Sequence, residues 1–222
     1  MLSRNVLEAS RPRATSVIVW SVVLVFEALL LALYTTARGV DPALFHIYPF
    51  IWLNASVWVV WNVDSLGGSR RHRLLATAVA GGYFLVLAYF GGLFDVALTG
   101  TTHAGHGGLR LETVLPPGYG PAMFYTGSVV QLSILPYLLV GYLALTYLVY
   151  VTVLEASKAA AGGVFGLFAC VGCSWPIFAS IATGATGGGA SIATAVYAQS
   201  YEISTVAFLL TVALLYWRPF VR

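Results

Sequence analysis

From Ser16 to Ala37 the chain reads SVIVWSVVLVFEALLLALYTTA, and Glu27 is the only charge in that run. A helix that is apolar on every side needs lipid or protein all round it, and a run of this length is long enough to cross a bilayer. Further apolar runs follow, and together they predict helices at about 16–37, 43–63, 74–98, 125–153, 159–183 and 190–217. At 1.5 Å per residue each can cross roughly 30 Å of hydrocarbon. The expected fold is all-α: one integral-membrane domain over residues 1–222, made of six transmembrane helices and one sizeable outer loop, 99–124. Composition agrees, since 59% of residues are hydrophobic and only 9% charged, far from the usage of a water-soluble domain.

A net charge of +3 would point to nucleic acid only if the basic residues formed a solvated face. Here they lie between apolar runs, so nucleic acid is excluded as a partner and the lipid bilayer takes its place. Arg4, Arg11, Arg13, Arg70, Arg71, Arg73, Lys158, Arg218 and Arg222 fall on one side of the expected topology, Arg38 and Arg110 on the other. That asymmetry places both termini in the cytoplasm of a multi-pass cell-membrane protein. The opening MLSRNVLEASRPRATS is expected to be a retained cytoplasmic tail, because the run after it is too long for a signal peptide and has no small-residue cleavage site. Tyr48, Trp52, Tyr119, Tyr125, Tyr216 and Trp217 fall near the expected interfaces, where amphipathic rings settle.

The outer loop, TGTTHAGHGGLRLETVLPPGYGPAMF, is expected to be ordered and capped by a turn at Pro116–Pro117. Pro136 falls inside the fourth helix and predicts a kink, with the freed carbonyl met by a neighbour or by Ser133. Gly162, Gly163 and Gly166, with Gly184 and Gly187–Gly189 at the next turn, allow the fifth and sixth helices to pack as a close antiparallel hairpin.

Counted from the expected helix edges at 1.5 Å per residue, Glu27, Asn54, Cys170 and Glu202 each lie about 15 Å into the bilayer. A carboxylate at that depth costs several kcal/mol unless it is protonated, paired or wet. Two readings of Glu27 and Glu202 stand side by side. One is a proton relay or cation site; the other is a pair of protonated carboxyls hydrogen-bonded to Asn54, tyrosines or backbone.

The two cysteines, Cys170 and Cys173 in ACVGCSWP, share one helix face at i and i+3. Such a pair can hold Cu(I) or Hg(II) in near-linear coordination or cycle with a disulfide, and it can equally be plain packing. If the thiols take a cofactor, copper is the one expected. On the outer side His103 and His106 in HAGH, with Asp95, Glu112 and His46, could assemble a second metal site, although a solvated Gly-rich loop accounts for them as well. His72 in SRRHR belongs with the positive inner face. The chain has no Walker A loop, no G-x-S-x-G, no H-E-x-x-H and no histidine pair within the spans for haem, so a conventional enzyme is not expected.

The segment CVGCSWPIFASIATGATGG, followed by a helix ending LLYWRPF, is similar to the mercuric-ion transport membrane proteins. There, a cysteine pair in a helix precedes proline, a Gly-rich turn and a second helix ending in aromatic residues and arginine. The likeness covers about a quarter of the chain, departs in having C-x-x-C in place of adjacent cysteines, and nominates only Cys170 and Cys173 as ion-accepting thiols. As a whole the chain resembles small multi-pass membrane proteins of haloarchaea without an assigned function, some of which accompany terminal-oxidase components. That resemblance implies a non-catalytic accessory or assembly component of a respiratory complex, partnered by other membrane subunits or by copies of itself. The alternative is soft-metal transport or handling through the cysteine pair.

The expected topology is open to a labelling experiment. With both native cysteines changed to serine, Gly105→Cys is expected to react with a membrane-impermeant maleimide from outside and Ser69→Cys only from inside. The reverse pattern overturns the charge argument, and labelling of both from one side overturns the helix count.

Overall fold

The long first apolar run forms a helix that extends beyond the span itself. In the computed structural model, which describes residues 2–63, 69–96, 108–127, 130–156 and 200–217, α1 covers Leu2–Arg38. It carries the helix back through the arginine-containing N-terminal segment. Gly39 ends it in the left-handed region at φ 62°, and the Val40 N–H reaches back to the Thr35 carbonyl at 3.1 Å. This is a Schellman closure, which only a residue without Cβ makes easily. A 3-10 turn at Leu44–His46 follows. The described chain divides into two compact units, Met1–His46 and Ile47–Arg222.

The second unit holds α2 (Tyr48–Asn62), α3 (Arg70–Phe90), β1 (Phe94–Val96), β2 (Gly108–Glu112), β3 (Ala122–Thr126), β4 (Val130–Ile134), α4 (Pro136–Ala156) and α5 (Ser200–Trp217). Pro49 stands in the first turn of α2, where its missing N–H is not needed. At the other end, the Tyr147 hydroxyl of α4 donates to the Val63 carbonyl at 2.9 Å, satisfying a group the helix cannot satisfy itself. Ser69 caps α3, its hydroxyl accepting from the His72 N–H. Gly92, at φ 75°, lets the Leu93 N–H return to the Ala88 carbonyl at 2.8 Å, which stops α3 and starts β1 within a few residues.

The strands form one antiparallel sheet in the order β1-β4-β3-β2. Leu109 lies opposite Tyr125, Tyr125 opposite Leu132, and Leu132 opposite Phe94. α4 packs against α2, α3 and α5 and is the centre of the helical cluster. Its Tyr142, Ala144, Leu145, Leu148 and Val151 are buried against Trp52, Val59 and Val63 of α2, Leu87 and Ala88 of α3, and Phe208 and Val212 of α5. Positions 52, 56 and 59 of α2 follow helical spacing, and Val63 just past its end adds to the same contact. Lipid tails are as apolar as leucine, so close packing rather than escape from water holds such helices together. Gly141 shows the consequence, because a Cβ there would overlap the Trp52 ring.

Among the described residues four helices are long and apolar enough to cross a membrane: Ser16–Arg38, Leu44–Asn62, Arg70–Phe90 and Pro136–Glu155; the apolar helix Ser204–Tyr216 is shorter. The all-α expectation is corrected by the sheet. Helix 74–98 ends at Phe90, since two glycines follow, and the outer loop 99–124 contains β2 and the start of β3. The expected helix 125–153 divides into the end of β3, then β4, and a helix that begins at Pro136. There is no kink at Pro136, because proline opens the helix rather than interrupting it. The expected helix 159–183 lies outside the described residues, and 190–217 is described only from 200.

Two glycine substitutions should separate packing from helix propensity. Gly141→Ala is expected to cost about 1–3 kcal/mol through overpacking against Trp52. Gly81→Ala in α3, where a Cβ meets nothing within 4 Å, should be neutral or stabilising by up to about 1 kcal/mol. Thermal unfolding of the detergent-solubilised variants is the measurement.

Candidate functional site

At the sheet end of the helical cluster four tyrosines, Tyr48, Tyr119, Tyr137 and Tyr201, lie near one another, and Tyr48 meets the exposed carboxylate of Glu202. They come from separate parts of the chain. Tyr48 opens α2, Tyr137 lies in the first turn of α4, and Tyr201 and Glu202 stand at the start of the described part of α5. Tyr119 comes from the turn between β2 and β3, where its own N–H donates to the Pro116 carbonyl at 3.0 Å. Gly118 in that turn has φ 88°, and a Cβ there would overlap the Pro49 side chain, so the turn lies directly on the first turn of α2. The Tyr119 ring then meets Tyr137 edge to face, with centroids 5.0 Å apart.

The Tyr48 hydroxyl and the Glu202 carboxylate are hydrogen-bond partners, with the phenol donating. This pairing sets Glu202 level with the first residue of α2, nearer the sheet end than a count from residue 190 places it. Burial pushes the Tyr119 hydroxyl up to about 12, and the nearby Tyr201 and Tyr48 act in the same direction. It therefore remains a protonated donor at physiological pH.

Beneath this cluster Trp52 is the common contact. Its ring stacks on Phe208 at 3.9 Å and 7° and meets the edges of Tyr137 and Tyr142 at 5.8 and 6.0 Å. Its Nε1–H donates to Thr205 Oγ1 at 3.1 Å, and the Thr205 hydroxyl donates to the Tyr201 carbonyl at 2.8 Å. Trp52 is thus a buried junction and not an interfacial ring. Tyr119 is buried too, and Tyr125 lies on β3. Tyr48 and Tyr119 were visible in the sequence only as belt residues, and Tyr137 and Tyr201 did not stand out at all; what unites them is the antiparallel sheet and its turn, which no short spacing announces.

The other sequence candidates are dispersed. Glu27 is half-buried on α1 and Asn54 half-buried on α2, and both are engaged in interactions. His46 is buried, with Nδ1 3.1 Å from the Ala43 carbonyl and its ring 3.8 Å from that of Phe45, so it shapes the turn before α2. Glu112 on β2 forms an ion pair with Arg110. The Ser56 hydroxyl, in the core stripe of α2, is buried with no hydrogen-bond partner. Cys170, Cys173, His103 and His106 lie outside the described residues. Among the described residues no three His, Cys, Asp or Glu side chains come together as a metal site would require.

A carboxylate held by a phenol at the end of a helical cluster can bind a cation, share a proton, or lock α2 to α5. Glu202→Gln separates these roles, because an amide keeps the hydrogen bond but does not ionise. The expected outcome is an intact fold, with a loss of about 1 kcal/mol, and abolition of pH-dependent partner activity or transport. Glu27→Gln is expected to change stability by a similar amount and leave activity in place. A fully active Glu202→Gln protein overturns the functional role.

Residues 1–222 match the profile of a family of unknown function (DUF7546), and the chain belongs to that family. No curated protein and no solved structure matches it.

Proposed function

We propose that this member of the family is a non-catalytic multi-pass protein of the cell membrane, an accessory or assembly component of a respiratory complex of the terminal-oxidase type. In this reading six helices cross the bilayer and both termini lie in the cytoplasm. The observation that carries it is the use made of the described polar groups within the apolar helices. Thr35, Thr36, Thr146, Thr152, Thr205 and Thr211 each return their hydroxyl proton to the carbonyl four residues back. Trp52 and Tyr147 tie α2 to α5 and α4. The threonine bonds satisfy each hydroxyl within its own helix and the Trp52 and Tyr147 bonds fasten helices to one another, as a scaffold needs, and none of them brings a nucleophile to a base.

The apolar outer faces fit the same role. α3 turns Leu75, Val79 and Val86 outward, and α5 turns Val206, Leu210 and Leu214 outward, surfaces suited to lipid or to a neighbouring membrane subunit. The resemblance to haloarchaeal membrane proteins, some of which accompany terminal oxidases, is what supports this class of complex. Soft-metal handling by Cys170 and Cys173 is the second reading and rests on the ACVGCSWP segment alone. Extraction in a mild detergent followed by mass spectrometry of co-purifying chains is expected to recover oxidase subunits. Recovery of this chain alone, as a monomer or homo-oligomer, overturns the proposal.

A further inference from the structure

One face of the sheet is apolar from strand to strand. Residues paired across an antiparallel ladder share a face, so the pairs Leu109–Tyr125, Leu111–Met123, Tyr125–Leu132 and Met123–Ile134 set six apolar side chains on one side. Arg110, Thr126, Gln131 and Ser133 fall on the other together with the half-buried Phe124, and there Arg110 is paired with Glu112. Alternation of this kind belongs to sheets with one wet face and one covered face. Yet Leu109, Leu111 and Tyr125 are 66%, 62% and 41% exposed.

The position of the sheet says what covers them. Phe94 shares the apolar face through its pairing with Leu132, and its ring lies 5.7 Å from that of Tyr89 in the last turn of α3. Tyr89 and Phe90 are themselves exposed on that turn, so the outer surface of a membrane-length helix continues onto the apolar face of the sheet. The feet of the strands are sunk among the helices, since Ala122 of β3 and Leu93 before β1 are buried. The turn at Pro116–Gly120 lies against Pro49 in the first turn of α2 and so closes that end of the cluster.

We propose that this face beds into the headgroup–acyl boundary of the leaflet at the sheet end, so that the sheet is a lipid-seated ledge and not a free extramembrane domain. The occupant is lipid. Leu109 and Leu111 enter the upper acyl region, Tyr125 takes the level that amphipathic rings favour, and Arg110 stays in water on the opposite face. Hydrated headgroups can satisfy the backbone groups along the edge of the sheet, which hydrocarbon cannot. The proposal rests on the helices crossing a bilayer and is independent of the accessory role; co-purification results do not bear on it.

The test uses the full chain with Cys170→Ser and Cys173→Ser, reconstituted into phosphatidylcholine–phosphatidylglycerol vesicles. Single substitutions Leu109→Cys, Leu111→Cys and Arg110→Cys carry an environment-sensitive fluorophore. Labels at 109 and 111 are expected to be quenched severalfold more by a shallow doxyl lipid than the label at 110, and iodide in the water should reverse that order. Equal iodide quenching at all three positions overturns the proposal by placing the face in water. Protection of 109 and 111 from both quenchers overturns it in favour of a protein occupant, a second copy or a segment of this chain. Should a cysteine variant not elute as the native species, the unsubstituted protein is cross-linked with a diazirine phosphatidylcholine. Lipid adducts mapped to residues 109–125 support the ledge, and their absence overturns it.

Discussion

Hydrocarbon has no water to offer an N–H, an O–H or a helix end, so a polar group placed in it is costly unless it finds a partner within the protein, and among the described buried side chains only the Ser56 hydroxyl goes without one. The Trp52 junction shows how this chain meets that demand. An indole is large enough to fill the space between α2, α4 and α5, but it brings one donor that cannot be left bare. Thr205 accepts it, and passes its own proton to the Tyr201 carbonyl. The arrangement also needs room, which Gly141 supplies by removing a side chain where the ring lies. Phe208 then closes the other face of the indole in a parallel stack. Tryptophan, threonine, glycine and phenylalanine are each required by the one before, and the parallel course of α2 and α5 follows, since Trp52 meets Phe208 and, further along, Trp58 meets Tyr216.

The helices were legible because a long apolar run is an unambiguous signal, and Glu27 within the first run does not blur it. The sheet was not, for a physical reason that particular residues show. VQLSI at 130–134 and GLRLE at 108–112 both alternate with period two, but each is only five residues long. The first is flanked by MFYT and by LPYLLV, so that an apolar window spanning all three reads as one continuous helix. Proline decided the true boundary. Inside a helix Pro136 would remove a hydrogen bond, while at the start it removes one that no carbonyl was waiting to receive. Gly91 and Gly92 sent the same message at the end of α3 and were outweighed by the apolar residues around them.

The candidate site was half legible. Glu202 stood out as a carboxyl in an apolar run, but the structure sets it exposed in the first described turn of α5 rather than mid-span, and its partner was hidden 154 positions away at Tyr48. Aromatic residues near helix ends are ambiguous in sequence, since belts and buried junctions draw on the same side chains. The structure separates the two by what the polar tip touches. Tyr48 points its hydroxyl at a carboxylate, Tyr147 at a backbone carbonyl, and Trp52 at a threonine, so none of these three depends on headgroups or water for its partner.

The turn between β2 and β3 links the two features that the bundle alone would not explain. Pro116 to Gly120 lies on Pro49, inserts Tyr119 beside Tyr137, and leads directly into Ala122 at the buried foot of β3. Tyr119 in turn feels Tyr48 and Tyr201, the residues that surround Glu202. The strand that carries Met123 and Tyr125 on the apolar face is therefore fastened, through a few residues of tight turn, to the tyrosines around the carboxylate. A sheet seated in the leaflet holds that turn against α2, and the turn holds the phenols in place. Without Gly118 at positive φ the turn could not approach Pro49, and Tyr119 would withdraw from Tyr137 and from the neighbourhood of Tyr48.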